Sequence, residues 1–572
     1  MERILLYMGR ARAYDFSMTA PSYRPVVTAS GHRMSVTVMV GIHSAVIAWN
    51  AEKALVDDGV PSVGLLGFAL RRTERRSSDD DIVSVEFVEG QKRFECDTDV
   101  GVDVRSDRAP FQRFRWSDYR LQPDHWYEYE VIPVFGRPCA LEYGAGVKVK
   151  FSPSPTTVGG VGVFVNRGVT AAKAYQDRFA GQLPDKAPGA FSWLSRGLEE
   201  SLIDFITSAA AGDELRVGIY EFHHPPIAAA LKTAISQGAS VRLVVHQRGD
   251  NASTESEHVL RAAGLWSKVK PRTHTQKLSH NKFVVLRRGG TPIRLWTGSA
   301  NFSSNAFYLQ TNQALVFDDP VLAHAYDEYW QILADDPVSG SKDPNGAQLR
   351  IEALMAATPA TPDRALYFSP VRKELILDTA VELITNARSC VLMSAPFGTV
   401  KRVVTALQDN HPDVVEYGLV NTTAVKTIEG FVGQRNTQFF PPSRLETWQG
   451  RAWDAKAFGD HKIHAKSLII DPWSDRPTVF VGSANFSRPS CVDNDENALL
   501  IRGDHRLSAI LATEFMRMFD HYKSRGFIKR LSSEGPSPEY HLEDTKAWAH
   551  TAFTSTANSH KYRDRQVFAG EP

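Results

Sequence analysis

Two short blocks far apart in the chain repeat each other with the same internal spacing, and this duplication constrains the fold more than any other feature. Ser279-His280-Asn281-Lys282-Phe283 opens one unit, and Trp296-Thr297-Gly298-Ser299-Ala300-Asn301-Phe302-Ser303 closes it. Ile463-His464-Ala465-Lys466-Ser467 opens a second, closed by Val481-Gly482-Ser483-Ala484-Asn485-Phe486-Ser487. The step from His280 to Gly298 is 18 positions, and that from His464 to Gly482 is again 18. Matched motifs in one register imply two copies of one structural unit.

The sequence around the repeats alternates helix and strand. Gly197 to Ile206 carries apolar residues at helical spacing, Leu215 to Tyr220 reads as a strand, Ala228 to Ser236 as a helix and Val241 to Val245 as a strand. The order returns with Leu375 to Thr385, Cys390 to Met393 and Val400 to Leu407. This predicts α/β sheets with helices on their faces. The first third differs. Short β-branched runs at Ser35–Val40, Ser44–Trp49 and Gly64–Leu70, and alternation over Trp126–Val131, predict an all-β sandwich. Phe151-Ser152-Pro153-Ser154-Pro155, with Gly159-Gly160 after it, reads as a linker. The expected domains are therefore 1–155 (β-sandwich), 156–350 (first half), 351–530 (second half) and 531–572 (a polar tail). With 572 residues, 42% hydrophobic and 23% charged, the chain reads as globular, and its net charge of +1 gives no global field for an anionic partner. No stretch reads as a signal peptide or a membrane span, so a cytoplasmic location is expected. Cys96, Cys139, Cys390 and Cys491 lie far apart without a CxxC pair and read as reduced core thiols.

In a strand, residues two apart share a face, so His280 with Lys282, and His464 with Lys466, point the same way. The glycines before Ser299 and Ser483 let backbone approach a ligand. Ser299, Asn301, Ser483 and Asn485 are expected to bind the substrate phosphate. One imidazole then attacks phosphorus, the other protonates the leaving oxygen, and lysines and asparagines hold the non-bridging oxygens. The lysines supply the positive charge, so neither a metal nor a cofactor is expected.

His464-x-Lys466, Asp471 and Gly482-Ser483-x-Asn485, continued by Asn494-Asp495-Glu496-Asn497, resemble the HKD signature of the phospholipase D superfamily. The likeness covers roughly residues 190 to 525. It implies two pseudo-symmetric phospholipase D-like α/β sandwich halves sharing one active site, beside the N-terminal all-β sandwich. The sandwich itself resembles a fibronectin type III domain in pairing Trp116-Ser117-Asp118-Tyr119 with Tyr127-Glu128-Tyr129. The first half departs from the signature: Arg287 stands where the second has Asp471, Asn312 where it has Glu496, and Gln310 where it has Asn494. Glu496 is expected to orient one imidazole and Asn312 the other, with Asp471 and Asn494 in support. This asymmetry resembles tyrosyl-DNA phosphodiesterases. It implies His280 as nucleophile and His464 as general acid, with His280 taken as the less basic imidazole and hence the better leaving group.

Lys268, Lys270, Arg272 and Lys277, with Arg287 and Arg288 beyond the first motif, form a candidate backbone-binding rim. Phe439-Phe440-Pro441-Pro442, Arg444 and Trp448 suit base stacking, an acyl chain or a lid. His223-His224 suits a substrate wall or an ordinary turn, and His461 and Lys462 suit the site's rim. The expected function is a metal-independent phosphodiesterase working through a phosphohistidine on nucleic acid. The alternatives are a phospholipase D or phosphatidyl transferase acting on phospholipid, and a binding protein with a weakened site. A protein partner or a second copy is expected at the N-terminal domain.

Overall fold

The computed structural model describes residues 21–570 apart from 58–63, 99–102, 169–171, 339–345, 359–360, 410, 429–436, 442–446, 449–450, 453–461, 535–540 and 555–559. His461, Pro442 and Arg444 lie outside the described residues, as does the side chain of Trp448.

The two halves carry one sheet topology twice. In the first, Val161–Val165, Gln313–Phe317, Thr291–Gly298, Lys282–Arg288, Glu214–Ile219, Ser240–His246 and Val269–Arg272 lie side by side in that order, with Thr157–Val158 outside Val161–Val165. In the second the order is Arg364–Ser369, Glu496–Arg502, Thr478–Gly482, Lys466–Ile470, Cys390–Ser394, Val415–Leu419 and Thr437–Phe440. The parallel pairs fall on the side of the helical crossovers, as βαβ units require. Pro320–Ala334 and the long helix His505–Glu534 pack in a shared core with inner-face residues such as Phe283, Leu295, Leu392 and Ile469.

Gly298 and Gly482 owe their identity to this packing. A Cβ on either would stand 2.2 Å from a carbonyl oxygen of the neighbouring strand, that of Gln313 or Asn497. The glycines therefore admit a strand rather than a ligand.

The N-terminal region is a two-sheet sandwich. Val26–Gly31, Met34–Val40, Ala45–Ala51 and Arg115–Asp118 form one sheet; Gly67–Arg76, Ile82–Phe87, His125–Arg137, Ala140–Tyr143 and Val147–Phe151 form the other. Trp49, Phe68, Tyr127 and Tyr129 fill the space between them. Phe151 is a buried strand end, and Gly159-Gly160, at φ 57° and 78°, turns a hairpin inside the first half's sheet, so the expected linker shrinks to a few residues. On the long helix, Asp520 accepts both terminal nitrogens of Arg115 at 2.7 and 2.9 Å, fixing the sandwich to the α/β halves. The tail returns too: Trp548 stacks on Phe114 in the sandwich core, and Phe568 packs on Tyr417 of the second half.

One cysteine expectation is corrected. Cys96 and Cys139 form a disulfide across 43 residues, because the hairpin after His125–Arg137 carries Cys139 back over the Cys96 loop. Cys390 and Cys491 are free and buried, as expected. No helix among the described residues is long and apolar enough to cross a membrane.

Candidate active site

Each motif histidine stands just ahead of a strand whose first residue is its lysine, Lys282 or Lys466. The lysines are fixed by their own motifs: Lys282 Nζ donates to the His280 carbonyl at 2.5 Å, and Lys466 Nζ to the His464 carbonyl at 2.7 Å. Both ammonium groups are buried. Each also lies against a ring, Lys282 5.3 Å from the centroid of Tyr220 and Lys466 5.4 Å from that of Phe397.

The imidazoles are held by the opposite half. His280 N donates to the Asp495 carbonyl at 2.8 Å, and His280 Nδ1 lies 2.8 Å from Glu496 Oε2. His464 N donates to the Thr311 carbonyl at 3.1 Å, and His464 Nδ1 lies 2.9 Å from Asn312 Oδ1. The carboxylate thus serves His280 and the amide serves His464. This overturns the expectation that His280 is the less basic imidazole. With Nδ1–H donated to its orienting oxygen, each ring keeps Nε2 for chemistry.

The serines are placed differently from the sequence expectation. Ser299 Oγ donates to Asn312 Oδ1 and Ser483 Oγ to Glu496 Oε2, both at 2.8 Å. A hydroxyl has one proton to donate, so neither serine retains a donor for phosphate. They position the orienting residues instead. Asn494 Nδ2 and Ser490 Oγ donate to Glu496 Oε1 at 3.2 and 3.0 Å, so four donors converge on this carboxylate. Asn301 Nδ2 donates to Glu221 Oε2 at 2.6 Å, whereas Asn301 Oδ1 and Asn485 Oδ1 are buried without a partner among the described residues.

Asp471 does not join the site. It accepts the backbone N–H groups of Arg388, Ser389 and Cys390, at 2.7 to 3.2 Å, tying the far end of its strand to the start of Cys390–Ser394. At the matching place in the first half, Arg287 pairs with Glu214 at 2.7 Å. One structural junction is built twice with opposite charge.

Burial dominates the electrostatics. It holds both imidazoles well below the usual histidine range, assisted by the two lysines. Burial also brings Lys282 down to about 7, and drives Lys466 well below the ordinary lysine range with help from Lys282. Glu496 is raised by burial to about 7, against the pull of Lys282.

Sequence reasoning missed several neighbours. Tyr220 packs between His246 and His280, 5.1 Å from each ring. His246 accepts the Ser279 N–H on Nδ1 and meets Asp250 through Nε2 at 2.9 Å, bracing the first motif. Phe397 stands 5.9 Å from His464 and is 51% exposed. Tyr220, His246 and Phe397 lie at or just beyond the carboxyl ends of parallel strands, where α/β sheets bind ligands, and that was the available signal.

The basic rim does not assemble. Arg272 is buried and joins Asp495 and Asp336; Lys277 faces Asp493, Arg287 pairs with Glu214, and Arg288 pairs with Asp213. Arg287 and Arg288 also close the far end of the strand that Lys282 begins. Phe439 is core and Phe440 packs on Phe519, so neither is free to stack on a base. His224 is buried between Glu199 and Ser304 as a structural residue.

The family model described as cardiolipin synthase, PLD-like domain, matches residues 202–333 and again 380–519. No curated protein sequence matches the chain. Among solved structures, polyphosphate kinase from Porphyromonas gingivalis is similar at 16% identity over 52% of this chain, with a TM-score of 0.35; the alignment spans only 42% of the kinase. Phosphatidylserine synthase of Haemophilus influenzae Rd KW20 is similar at 11% identity over 59% of this chain and 89% of its own, with a TM-score of 0.41. Nuc, a phospholipase D family member from Salmonella typhimurium, is similar at 21% identity over 31% of this chain and 94% of its own, with a TM-score of 0.22. By its matched repeats and the family model that fits each of them, the chain belongs to the phospholipase D superfamily of phosphodiester-acting enzymes.

Proposed function

We propose that this enzyme cleaves nucleic-acid phosphodiesters through a covalent phosphohistidine on His280. The observation that carries the reading is the crossed pairing, which gives His280 a carboxylate and His464 a neutral amide. His280 Nε2 attacks phosphorus, and Glu496 offsets the positive charge that the ring gains. The negative charge of the bound phosphodiester lets His464 enter the step as an imidazolium, and the P–O bond to the leaving group breaks as its Nε2–H protonates the departing oxygen. Lys282 and Lys466 hold the non-bridging oxygens. Water, deprotonated by His464, then displaces His280 from phosphorus and leaves a phosphomonoester.

Phe397 supports nucleic acid as the substrate, since an exposed ring beside the general acid suits stacking on a base. The alternative, phospholipid head-group hydrolysis or transfer, draws on the ion pairing of most of the basic rim. The test offers the purified protein single- and double-stranded DNA, RNA, phosphatidylcholine vesicles and a bis-aryl phosphodiester, all in EDTA. Nucleic-acid turnover that survives EDTA and disappears in His280→Ala supports the proposal. Lipid cleavage alone supports the alternative, and loss of all activity in EDTA refutes the metal-free chemistry.

A further inference from the structure

The junction of the sandwich, the first half and the long helix encloses a cavity of about 330 Å³, at the small end of the range for ligand sites. Its walls include Ile42, Val163, Phe164, Val165 and Ile510, with Arg196 among them. None of the active-site histidines or lysines lines it.

Arg196 is the unusual member. Its side chain is 4% exposed, its Nε donates to the Val165 carbonyl and its Nη2 to Glu514 Oε2 at 2.6 Å. Its Nη1 is buried with no hydrogen-bond partner among the described residues. Native proteins rarely leave such a donor unmet without a reason. The backbone of Arg196 lies at φ 49° because it ends the helix Ala190–Ser195, its N–H donating to the Ser192 carbonyl.

Charge balance points the same way. Arg167, Arg196 and Arg517 gather around one carboxylate, Glu514. Burial opposes the charge on Glu514, yet Arg196 and Arg517 pull it down to about 2, so it is already ionised. His43, on the cavity wall, is pushed by burial and Arg196 down to about 3 and adds no charge at neutral pH. The cluster therefore holds more positive than negative charge beside an apolar space. Gly197, which precedes the helix Leu198–Thr207, also lines the cavity.

We propose that this cavity is a second ligand site, separate from the phosphodiester site, that binds a short aliphatic anion with its head on Arg196 Nη1 and its chain along Ile42, Val163 and Ile510. Carboxylate and phosphate heads share the required chemistry, and the probes separate them.

The test titrates the full-length protein calorimetrically with octanoate, octyl phosphate, octanol and inorganic phosphate. One octanoate or octyl phosphate should bind per chain, octanol should bind at least tenfold more weakly, and whichever head binds tighter identifies the class. Arg196→Met should weaken binding at least tenfold. Because Arg196 is buried, Thr156→Trp at the half-exposed rim provides an independent block and should weaken binding equally. His280→Ala should bind as wild type. The proposal is overturned by absent binding of both anions, by affinity unchanged in Arg196→Met and Thr156→Trp, or by binding lost in His280→Ala.

Discussion

Replacing Glu496 with Gln removes a charge from the active site while keeping an oxygen for the His280 Nδ1–H. The pair is 2.8 Å apart and almost fully desolvated, the side chains being 7% and 0% exposed. Formation of the phosphohistidine places positive charge on the ring about 4 Å from the carboxylate centre, and at an effective dielectric constant of about 20 this interaction is worth about 4 kcal/mol. At 1.36 kcal/mol per decade, the ceiling on the loss of kcat is about a thousandfold. The loss must depend on pH. Burial raises Glu496 to about 7, so its charged form is present above that value and vanishes as pH falls through it. The ratio of wild-type to Glu496→Gln kcat should therefore be largest near pH 8 and shrink toward one near pH 5.5. Asn312→Ala removes only a neutral acceptor from His464, and should cost about 1.5 kcal/mol, roughly tenfold, at every pH. Turnover of a bis-aryl phosphodiester between pH 5 and 9 measures all three proteins. A flat ratio, or a larger loss in Asn312→Ala than in Glu496→Gln at pH 8, would refute the crossed assignment.

Lys282 loses its charge as pH rises through about 7. The profile of kcat/KM should therefore have an acid limb from Glu496 and an alkaline limb on which Lys282 and the general acid His464 both lose protons; Lys282→Arg should remove the lysine's share of that limb, because guanidinium stays charged. Asp471→Ala strips a buried acceptor from three backbone N–H groups, and urea unfolding should show a loss of about 3 kcal/mol while turnover of the folded protein persists. Phe397→Ala should raise KM for an oligonucleotide by about tenfold or more, the range of one lost base stack, and leave KM for a small phosphodiester nearly unchanged.

The duplicated halves were legible because the 18-residue step within each motif pair is fixed by sheet geometry, which demands glycine where Gly298 and Gly482 meet the next strand. The partners of the histidines could be named but not matched. Position counting compares residues within a half, whereas Glu496 and Asn312 act across the halves. The serines illustrate a second limit. A hydroxyl near a phosphate site reads as a ligand until its one proton is seen to be donated elsewhere. The basic run failed for a related reason, since Asp213, Glu214, Asp336 and Asp495 approach it only in the folded chain. The Cys96–Cys139 bridge had no spacing signal.

Trapping the phosphoenzyme tests the central claim most directly. In His464→Ala, an aryl phosphodiester still expels its good leaving group, but no base activates water, so the intermediate should accumulate. Alkaline quench, digestion and mass spectrometry should place the aryl-phosphoryl group on His280. A modified His464 peptide in His280→Ala, with no modification of His280 in His464→Ala, would exchange the two roles and contradict the account.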